Sequence, residues 1–331
     1  MNIIENIKNK VRKNIKTIVL PETDDIRVLK AARIAEDEKI AKIILVGDLE
    51  KTLTLASENN IDISGIEFID PKSYKDTDML VNEFYELRKN KGMTMEMAQD
   101  IVMNNYLYFG NMLVKMNIAD GQVSGANHSS ADTLRPALQI VKTKENTQIA
   151  SSFFLMDVPN CTYGNNGVFL YADCGMNRNP TSEELSEIAK TSADTYKLLT
   201  DDEPVIAFLS HSTLGTSKCS DVEKVEKAVQ LFKEKYPEYL ADGELQFDAA
   251  IVPEVANIKA PNSKVAGHAN VLVFPDLDSG NIAYKITERL AKAKAYGPVT
   301  QGLKKPVNDL SRGCNENDIV GVIAITSLQS L

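Results

Sequence analysis

The sequence has 331 residues, of which 43% are hydrophobic and 25% are charged, and its formal net charge is −9. This length exceeds what a single hydrophobic core usually serves, so we expect two domains. The negative charge argues against a general affinity for nucleic acid or for an anionic membrane, so any anionic ligand needs a local cluster of cations.

The cysteines and the N-terminal stretch indicate the compartment. The four cysteines show no Cys-x-x-Cys spacing, and a chain of this size does not need disulfides, so free thiols in a reducing compartment are favoured. The N-terminus has no apolar signal region, and no stretch approaches the length of a membrane span. We therefore predict a soluble, cytoplasmic protein.

The first segment, residues 1 to about 146, shows the pattern of a parallel sheet. Thr17–Leu20 and Lys42–Val46 are short apolar runs typical of buried strands. An amphipathic helical pattern begins between them at Ile26, with Asp24 or Asp25 as its N-cap, and another helix follows the second strand. This alternation is typical of a parallel sheet with right-handed crossovers.

Residues 79–116 have the pattern of helices in series. Arg88 ends the first of them, in a cluster of cations that would also suit a solvated helix C-terminus. Four methionines of this region are predicted to be packing residues: Met93, Met95, Met97 and Met103.

A strand-to-helix turn follows in residues 119–138. A short strand around Gln122–Val123 leads into Ser129 and Ser130, whose hydroxyls and N–H groups suit an anion at a helix N-terminus. Arg135, one turn into the helix, would add a bidentate clamp. His128 is a candidate acid or base, but the three histidines lie too far apart in sequence to suggest a metal triad. Neither a Rossmann nor a Walker loop is present.

The second segment, residues 147–299, continues with strands, loops and helices. Cys161 lies in Pro159–Tyr163 with no histidine adjacent in the sequence. Because a nucleophilic thiol needs a paired histidine, this segment favours a buried structural cysteine. The predicted strands are Ile149–Met156 paired with Val168–Tyr171, then Val205–Leu209, Asp248–Pro253 and Val271–Pro275. The predicted helices run from the capping box Thr181–Glu184 to about Tyr196, over Lys224–Lys235, and from Gly280-Asn281.

Two acidic clusters, Glu22–Asp25 and Asp276 with Asp278 and Asn281, invite a metal site. The first begins a helix and has no nearby histidine, and the second lacks the spacing of a calcium loop. Helix capping explains both better, and we predict no metal site.

The C-terminal segment Gly297–Asp318 holds three glycines and two prolines, so it cannot be one regular element. It brings together Ser311, Arg312 and Asp318, ahead of an apolar run that we predict to be a strand, Val320–Thr326. A hydroxyl, a guanidinium and a carboxylate on a constrained loop are typical of a functional site. A surface turn with an N-cap aspartate is the alternative.

Four motifs, spread over essentially the whole chain, closely resemble those of phosphate acetyltransferases (phosphotransacetylases) of the phosphate acetyl/butyryltransferase family. The motifs are Tyr85-Glu-Leu-Arg-Lys, Gly125-x-x-His-Ser-x-Ala-Asp-Thr-Leu-Arg-Pro136, Phe274-Pro-x-Leu-x-x-Gly-Asn-Ile-x-Tyr-Lys285 and the segment around Ser311-Arg-Gly313. The resemblance implies reversible transfer of an acetyl group: acetyl-CoA and phosphate give acetyl phosphate and CoA. It further implies no active-site metal, no permanently bound cofactor, a homodimer, and functional coupling to an acetate kinase.

The resemblance also assigns roles to residues. Asp318 is expected to be the general base for the CoA thiol, Ser311 to hydrogen-bond the thiolate or oxyanion, and Arg312 to bind the acyl phosphate. Arg88 and Arg135 are expected to hold the phosphates of CoA. Further substrate contacts are expected from His128, Ser129, Ser130, Cys161, Asn281, Tyr284 and Lys285.

The family's architecture implies an α/β protein of the isocitrate/isopropylmalate dehydrogenase-like fold, with two α/β domains and the site in the cleft between them. We expect a discontinuous first domain of residues 1–146 and 300–331, and a second of residues 147–299. Two alternatives stay open. A phosphate butyryltransferase would differ by a few apolar contacts, worth about 1–3 kcal/mol. A non-catalytic CoA-binding relative is the other, and it fits less well with Ser311, Arg312 and Asp318 all present.

Overall fold

The computed structural model describes residues 3–145 and 147–331, so the predicted domain boundary at Asn146 falls on a residue outside the described ranges. The strands are β1 (Lys16–Leu20), β2 (Ala41–Val46), β3 (Glu67–Ile69), β4 (Gly121–Val123), β5 (Ser151–Asp157), β6 (Val168–Ala172), β7 (Val205–Leu209), β8 (Leu240–Leu245), β9 (Val271–Val273), β10 (Lys294–Gln301) and β11 (Val307–Asn308). The helices are α1 (Ile3–Val11), α2 (Ile26–Asp37), α3 (Leu49–Glu58), α4 (Thr77–Arg88), α5 (Met95–Asn104), α6 (Tyr106–Lys115), α7 (Ser130–Pro136), α8 (Tyr163–Asn166), α9 (Ser182–Thr200), α10 (Ser220–Lys235), α11 (Phe247–Ile251), α12 (Pro253–Lys259), α13 (Leu277–Leu290) and α14 (Glu316–Gln329).

The first compact unit comprises Ile3–Lys144 and Leu303–Leu331. Its five strands are all parallel, in the order β11-β4-β1-β2-β3. The predicted strands of the first segment are confirmed as β1 and β2, and residues such as Ile18 and Ile43 are at most 1% exposed. Because β2 and β3 lie on one side of β1 while β4 and β11 lie on the other, the strand order reverses between β1 and β4. Ligand sites of α/β sheets lie at the carboxyl ends of strands beside such a reversal.

The second compact unit is Glu145–Gly302. Its sheet has the order β10-β5-β6-β9-β7-β8, in which β6, β9, β7 and β8 are parallel. Strand β5 runs antiparallel to both β6 and β10, so the predicted pairing of the first two strands of this segment is confirmed. The predicted capping box is confirmed as well, since Thr181 and Glu184 cap α9 reciprocally.

The predicted strand Val320–Thr326 is wrong, because this run lies inside helix α14. Asn315 caps the helix: its side chain accepts the N–H of Asp318, whose carboxylate accepts the N–H of Asn315. Ten consecutive residues, Ile319–Leu328, are buried. A helix that is buried all round shows a continuous apolar run, which a buried strand shows too, so the pattern alone does not separate them.

The predicted strand Asp248–Pro253 is also wrong. The chain forms the short helix α11 here, and Pro253 then begins α12 at a position where a missing N–H is tolerated. The strand of this region is β8, which lies earlier in the sequence and pairs with β7. Met95 and Met97, predicted to pack, are 43% and 49% exposed on α5.

Within residues 3–145 and 147–331, no helix is both long and apolar enough to span a membrane.

Candidate active site

Three loops of the first unit follow the carboxyl ends of β1, β4 and β11, the three adjacent strands around the reversal of strand order. The loop after β1 carries Glu22 and Asp25, and the loop after β4 carries His128 and Ser129. The loop after β11 carries Ser311 and Arg312, and it ends where α14 begins. Four of the eight predicted site residues of this unit therefore lie on loops that the sheet brings together: His128, Ser129, Ser311 and Arg312.

Glu22 organises the loop after β4, and the sequence analysis gave it no such role. Its side chain is 1% exposed, and its carboxylate accepts the N–H groups of Gly125 and Ala126 at 2.8 Å and those of Asn127 and His128 at 3.2 Å. It also lies 2.7 Å from Nδ1 of His128. A carboxylate accepts hydrogen bonds, so the His128 ring donates from Nδ1 to Glu22.

The start of α7 is built as predicted. Ser129 is the N-cap, and its hydroxyl accepts the N–H of Asp132 at 3.2 Å and lies 2.7 Å from the Asp132 carboxylate. Ser130 begins the helix. Arg135 lies near the C-terminal end of α7 with an exposed side chain.

Arg88 and Arg135 lie on different helices, and the positive charges of both affect the side chain of Tyr108. Burial raises the pKa of Tyr108, and the positive charges of Arg135 and Arg88 oppose that rise. The Nε of Arg88 is buried without a hydrogen-bond partner among the described residues. A half-buried guanidinium with an unused donor is suited to binding an anion.

Arg27 fixes the Ser311–Arg312 loop, and it is the second residue that the sequence analysis missed. Its Nη1 donates to the carbonyl oxygens of Arg312 at 2.9 Å and Cys314 at 2.8 Å, while Nη2 donates to the carbonyl of Ala126 at 2.7 Å. Asp25, one of the two predicted candidates for the N-cap of α2 and the one that the structure shows, lies 2.6 Å from Nη2. One guanidinium thus joins the loops after β4 and β11 to the start of α2.

The side chains of the predicted catalytic residues differ in exposure. Ser311 and Asp318 are half-buried, and Arg312 is exposed. The Ser311 carbonyl accepts the N–H of Cys314 at 2.9 Å, which closes a tight turn. One oxygen of Asp318 accepts the N–H of Asn315 at 2.9 Å, so the helix cap fixes the orientation of this carboxylate.

Asp309 directly follows β11, and the sequence analysis did not include it among the site residues. Its side chain is 1% exposed, and neither carboxylate oxygen has a hydrogen-bond partner among the described residues. Burial raises the pKa of this carboxyl to about 7, and the charge of Glu22 adds to the rise. The hydroxyls of Ser130 and Thr133 and the N–H of Leu310 lie close enough to act against it.

The remaining predicted contacts lie in the second unit. The Asn281 side chain donates to the carbonyl of Cys174 at 3.0 Å, and Lys285 donates to Asn281. Tyr284 is 6% exposed and stacks on Phe154 with ring centroids 3.7 Å apart. Cys161 is half-buried and packs against the core cluster that contains Tyr284.

The acidic cluster at Asp276 caps a helix, as predicted, since Asp276 accepts the N–H of Ser279 at the start of α13. Across residues 3–145 and 147–331, no group of three or more His, Cys, Asp or Glu side chains could hold a metal ion.

The whole sequence was compared with models of known protein families. The family model described as "Phosphate acetyl/butaryl transferase" matches residues 2–327. The chain belongs to this family. The resemblance found in the four sequence motifs is thereby confirmed.

Relatives within the family match the chain over its whole length. The phosphate acetyltransferase of Acetivibrio thermocellus is 53% identical over 330 residues, which cover 100% of this chain and 98% of the relative. The crystal structure of a phosphotransacetylase from Streptococcus pyogenes is 45% identical and superposes with a TM-score of 0.92, covering 99% of this chain and 98% of that one.

A more distant structure bears on the fold alone. A 4-hydroxythreonine-4-phosphate dehydrogenase from Klebsiella pneumoniae is 12% identical, with a TM-score of 0.57 over 96% of this chain and 100% of that one. The predicted fold class, an α/β fold shared with dehydrogenases, is thereby confirmed.

Proposed function

We propose that the chain is a phosphate acetyltransferase, which transfers an acetyl group reversibly between CoA and inorganic phosphate within a ternary complex. The observation that carries the proposal is the convergence of three loops of the first unit around Glu22 and Arg27. The loop after β11 carries Ser311 and the exposed Arg312, and the cap-oriented carboxylate of Asp318 lies in the first turn of α14, where that loop ends. Relatives named phosphate acetyltransferase, about half identical over the full chain, support the same activity.

In the direction of acetyl-CoA formation, Asp318 takes the proton of the CoA thiol. The thiolate then attacks the carbonyl carbon of acetyl phosphate, and the bond from that carbon to the phosphate oxygen breaks. Ser311 donates a hydrogen bond to the thiolate or to the developing oxyanion, and Arg312 holds the phosphate as it leaves. No acetyl-enzyme forms, because binding both substrates together supplies the required proximity.

The activity and its acyl preference are tested by following thioester formation from CoA with acetyl phosphate and with butyryl phosphate, in the presence of EDTA. We expect rapid transfer from acetyl phosphate that the chelator does not change. A preference for butyryl phosphate would favour phosphate butyryltransferase. CoA binding without transfer from either substrate would favour a non-catalytic relative.

Arg88 and Arg135 are proposed to hold phosphate groups of CoA. The charges of both guanidinium groups affect the pKa of Tyr108, and the Nε of Arg88 is buried without a partner among the described residues. These observations support an anion site that the two arginines share. Arg88→Ala is therefore expected to raise the KM for CoA about tenfold with kcat within about twofold, because an interaction made equally in ground and transition states is lost. Lys89→Ala removes an exposed cation, paired with Glu86, from the next position and is the matched control. Equal effects of the two substitutions would contradict a specific phosphate contact.

Other substrate contacts are proposed with specific support. The start of α7 offers Ser129 and Ser130, together with the ring of His128, which Glu22 orients. In the second unit, Lys285 donates a hydrogen bond to Asn281, which lies near the start of α13. Tyr284 of the same helix is in the core cluster against which Cys161 packs.

The homodimer is proposed on the surface of α13. Ile282, Ile286 and Leu290 recur at every fourth position and are 56%, 52% and 80% exposed, so they form an apolar stripe on one helix face. Ile286→Glu is expected to shift the protein from dimer to monomer in light scattering, because a charge would be buried in the interface. Leu53→Glu, a similar change at a residue 50% exposed on α3, is the control. A dimer that persists in the Ile286 variant would contradict this surface.

We further propose that the two compact units are the two expected domains and that the protein acts in the cytoplasm. All four cysteines are free thiols, which suits a reducing compartment. An acetate kinase would then use the acetyl phosphate that the reaction releases.

A further inference from the structure

Asp309 lies where two loops of the site touch. Gly125, in the loop after β4, has a φ of +112°, and a Cβ built there would lie 2.1 Å from Asp309 Oδ1 and 2.7 Å from the N of Leu310. Only glycine permits this approach. Asp309 is two residues before Ser311, so its side chain joins the backbone of one loop to the catalytic part of the other.

The charged groups around Asp309 leave it without a counter-charge. Glu22 faces it from the loop after β1, and that carboxylate already accepts four N–H groups and the Nδ1–H of His128. Arg27, the nearby cation of α2, directs its donors to Asp25 and to three backbone carbonyls. Neither oxygen of Asp309 has a partner among the described residues.

The two protonation states of this carboxyl therefore have different consequences. A neutral carboxyl is a hydrogen-bond donor, and the hydroxyls of Ser130 and Thr133 on α7 are close enough to accept. The Thr133 hydroxyl is itself fully buried without a partner among the described residues. An ionised carboxyl would be buried beside the charge of Glu22, and the Ser130 and Thr133 hydroxyls and the Leu310 N–H offset that cost only in part. Moving the loop after β11 away from α7 would relieve it.

We propose that Asp309 is a positioning residue whose neutral carboxyl holds the Ser311–Arg312 loop against the start of α7. Loss of its proton releases this contact and slows acetyl transfer without weakening CoA binding. The inference rests on the roles proposed above for Ser311 and Arg312.

The test compares kcat and the KM for CoA across the neutral pH range in wild type, Asp309→Asn and Asp309→Ala. We expect the wild-type kcat to fall on the alkaline side with a midpoint at about 7. The Asn variant should lack this fall, because its amide stays neutral and keeps a donor. The Ala variant should have a kcat about tenfold or more below that of wild type on the acid side of this midpoint, where wild type holds the contact, and it should show no alkaline fall, because a misplaced catalytic group is costly. The KM for CoA should stay the same in all three.

Asp100→Asn, at an exposed position on α5, is the matched control and should keep the wild-type profile. An unchanged alkaline fall in Asp309→Asn, or equal activity of the Asn and Ala variants, would overturn the inference. Wild-type protein that transfers no acetyl group at any pH would instead overturn the proposed function.

Thermal unfolding gives a second test that needs no activity. The unfolded chain releases the Asp309 proton near the ordinary pKa of 3.8, whereas the folded chain keeps it to about 7. Ionisation of Asp309 therefore takes stability from wild type as the pH rises between these two values, and the Asn variant lacks this contribution. The melting temperature of Asp309→Asn minus that of wild type should grow across this range and then level. If this difference in melting temperature did not change with pH, the inference that Asp309 is buried in its neutral form would be overturned.

Discussion

Asp318→Asn is expected to lower kcat by about 100-fold or more, the size typical of losing a general base. The KM for CoA should change by no more than about twofold, because Asp318 acts on the thiol proton and not on the CoA phosphates. The amide oxygen of asparagine can still accept the N–H of Asn315, so the cap of α14 is kept. The loss should therefore lie in the chemical step and not in folding.

Steady-state kinetics and a melting curve on the same preparation separate these causes. Glu316→Gln is the matched control, since Glu316 is a half-buried carboxylate in the first turn of the same helix. It should keep near-wild-type turnover. Full activity of the Asp318→Asn variant would contradict the assignment of Asp318 as the general base.

Arg312→Ala is expected to lower kcat/KM for acetyl phosphate by about 100- to 1000-fold, as for the loss of one preorganised donor to developing charge. The Arg312 side chain is exposed, and the loop is held through its backbone carbonyl by Arg27, so the substitution should leave the loop in place. Arg312→Lys should recover only part of the loss, because an ammonium lacks the planar fork that matches a phosphate.

Arg289→Ala provides the control for the loss of a positive charge alone, because Arg289 is 73% exposed on α13. Its kinetics should be those of wild type. If Arg312→Lys were fully active, the bidentate contact would be dispensable and Arg312 would supply only charge.

The sequence predicted those parts of the fold that depend on neighbouring residues. The runs that form β1 and β2 and the Asp25 cap of α2 carry their own local signals, as does the capping box of α9. The error at α14 has a physical cause: a helix buried on all sides loses the amphipathic period that identifies helices. The Asn315–Asp318 capping box just before the run was the signal that favoured a helix.

The organisation of the site was harder to predict, because it depends on contacts between distant parts of the chain. Glu22 binds a loop more than 100 residues away, and Arg27 binds one more than 280 residues away. A carboxylate directly after a buried strand was visible in the sequence, but its partners were not. Asp309 had no signal of its own, since an aspartate before a leucine in a turn is unremarkable until its burial is known.

Exchange of labelled inorganic phosphate into acetyl phosphate tests direct transfer between the two bound substrates most directly. With catalytic amounts of CoA present, the label should enter acetyl phosphate rapidly, because each reversal of the reaction passes through acetyl-CoA. Without CoA there should be no exchange, because no residue of the chain holds the acetyl group. Exchange in the absence of CoA would show an acetyl-enzyme and contradict transfer by way of Ser311, Arg312 and Asp318 in a ternary complex.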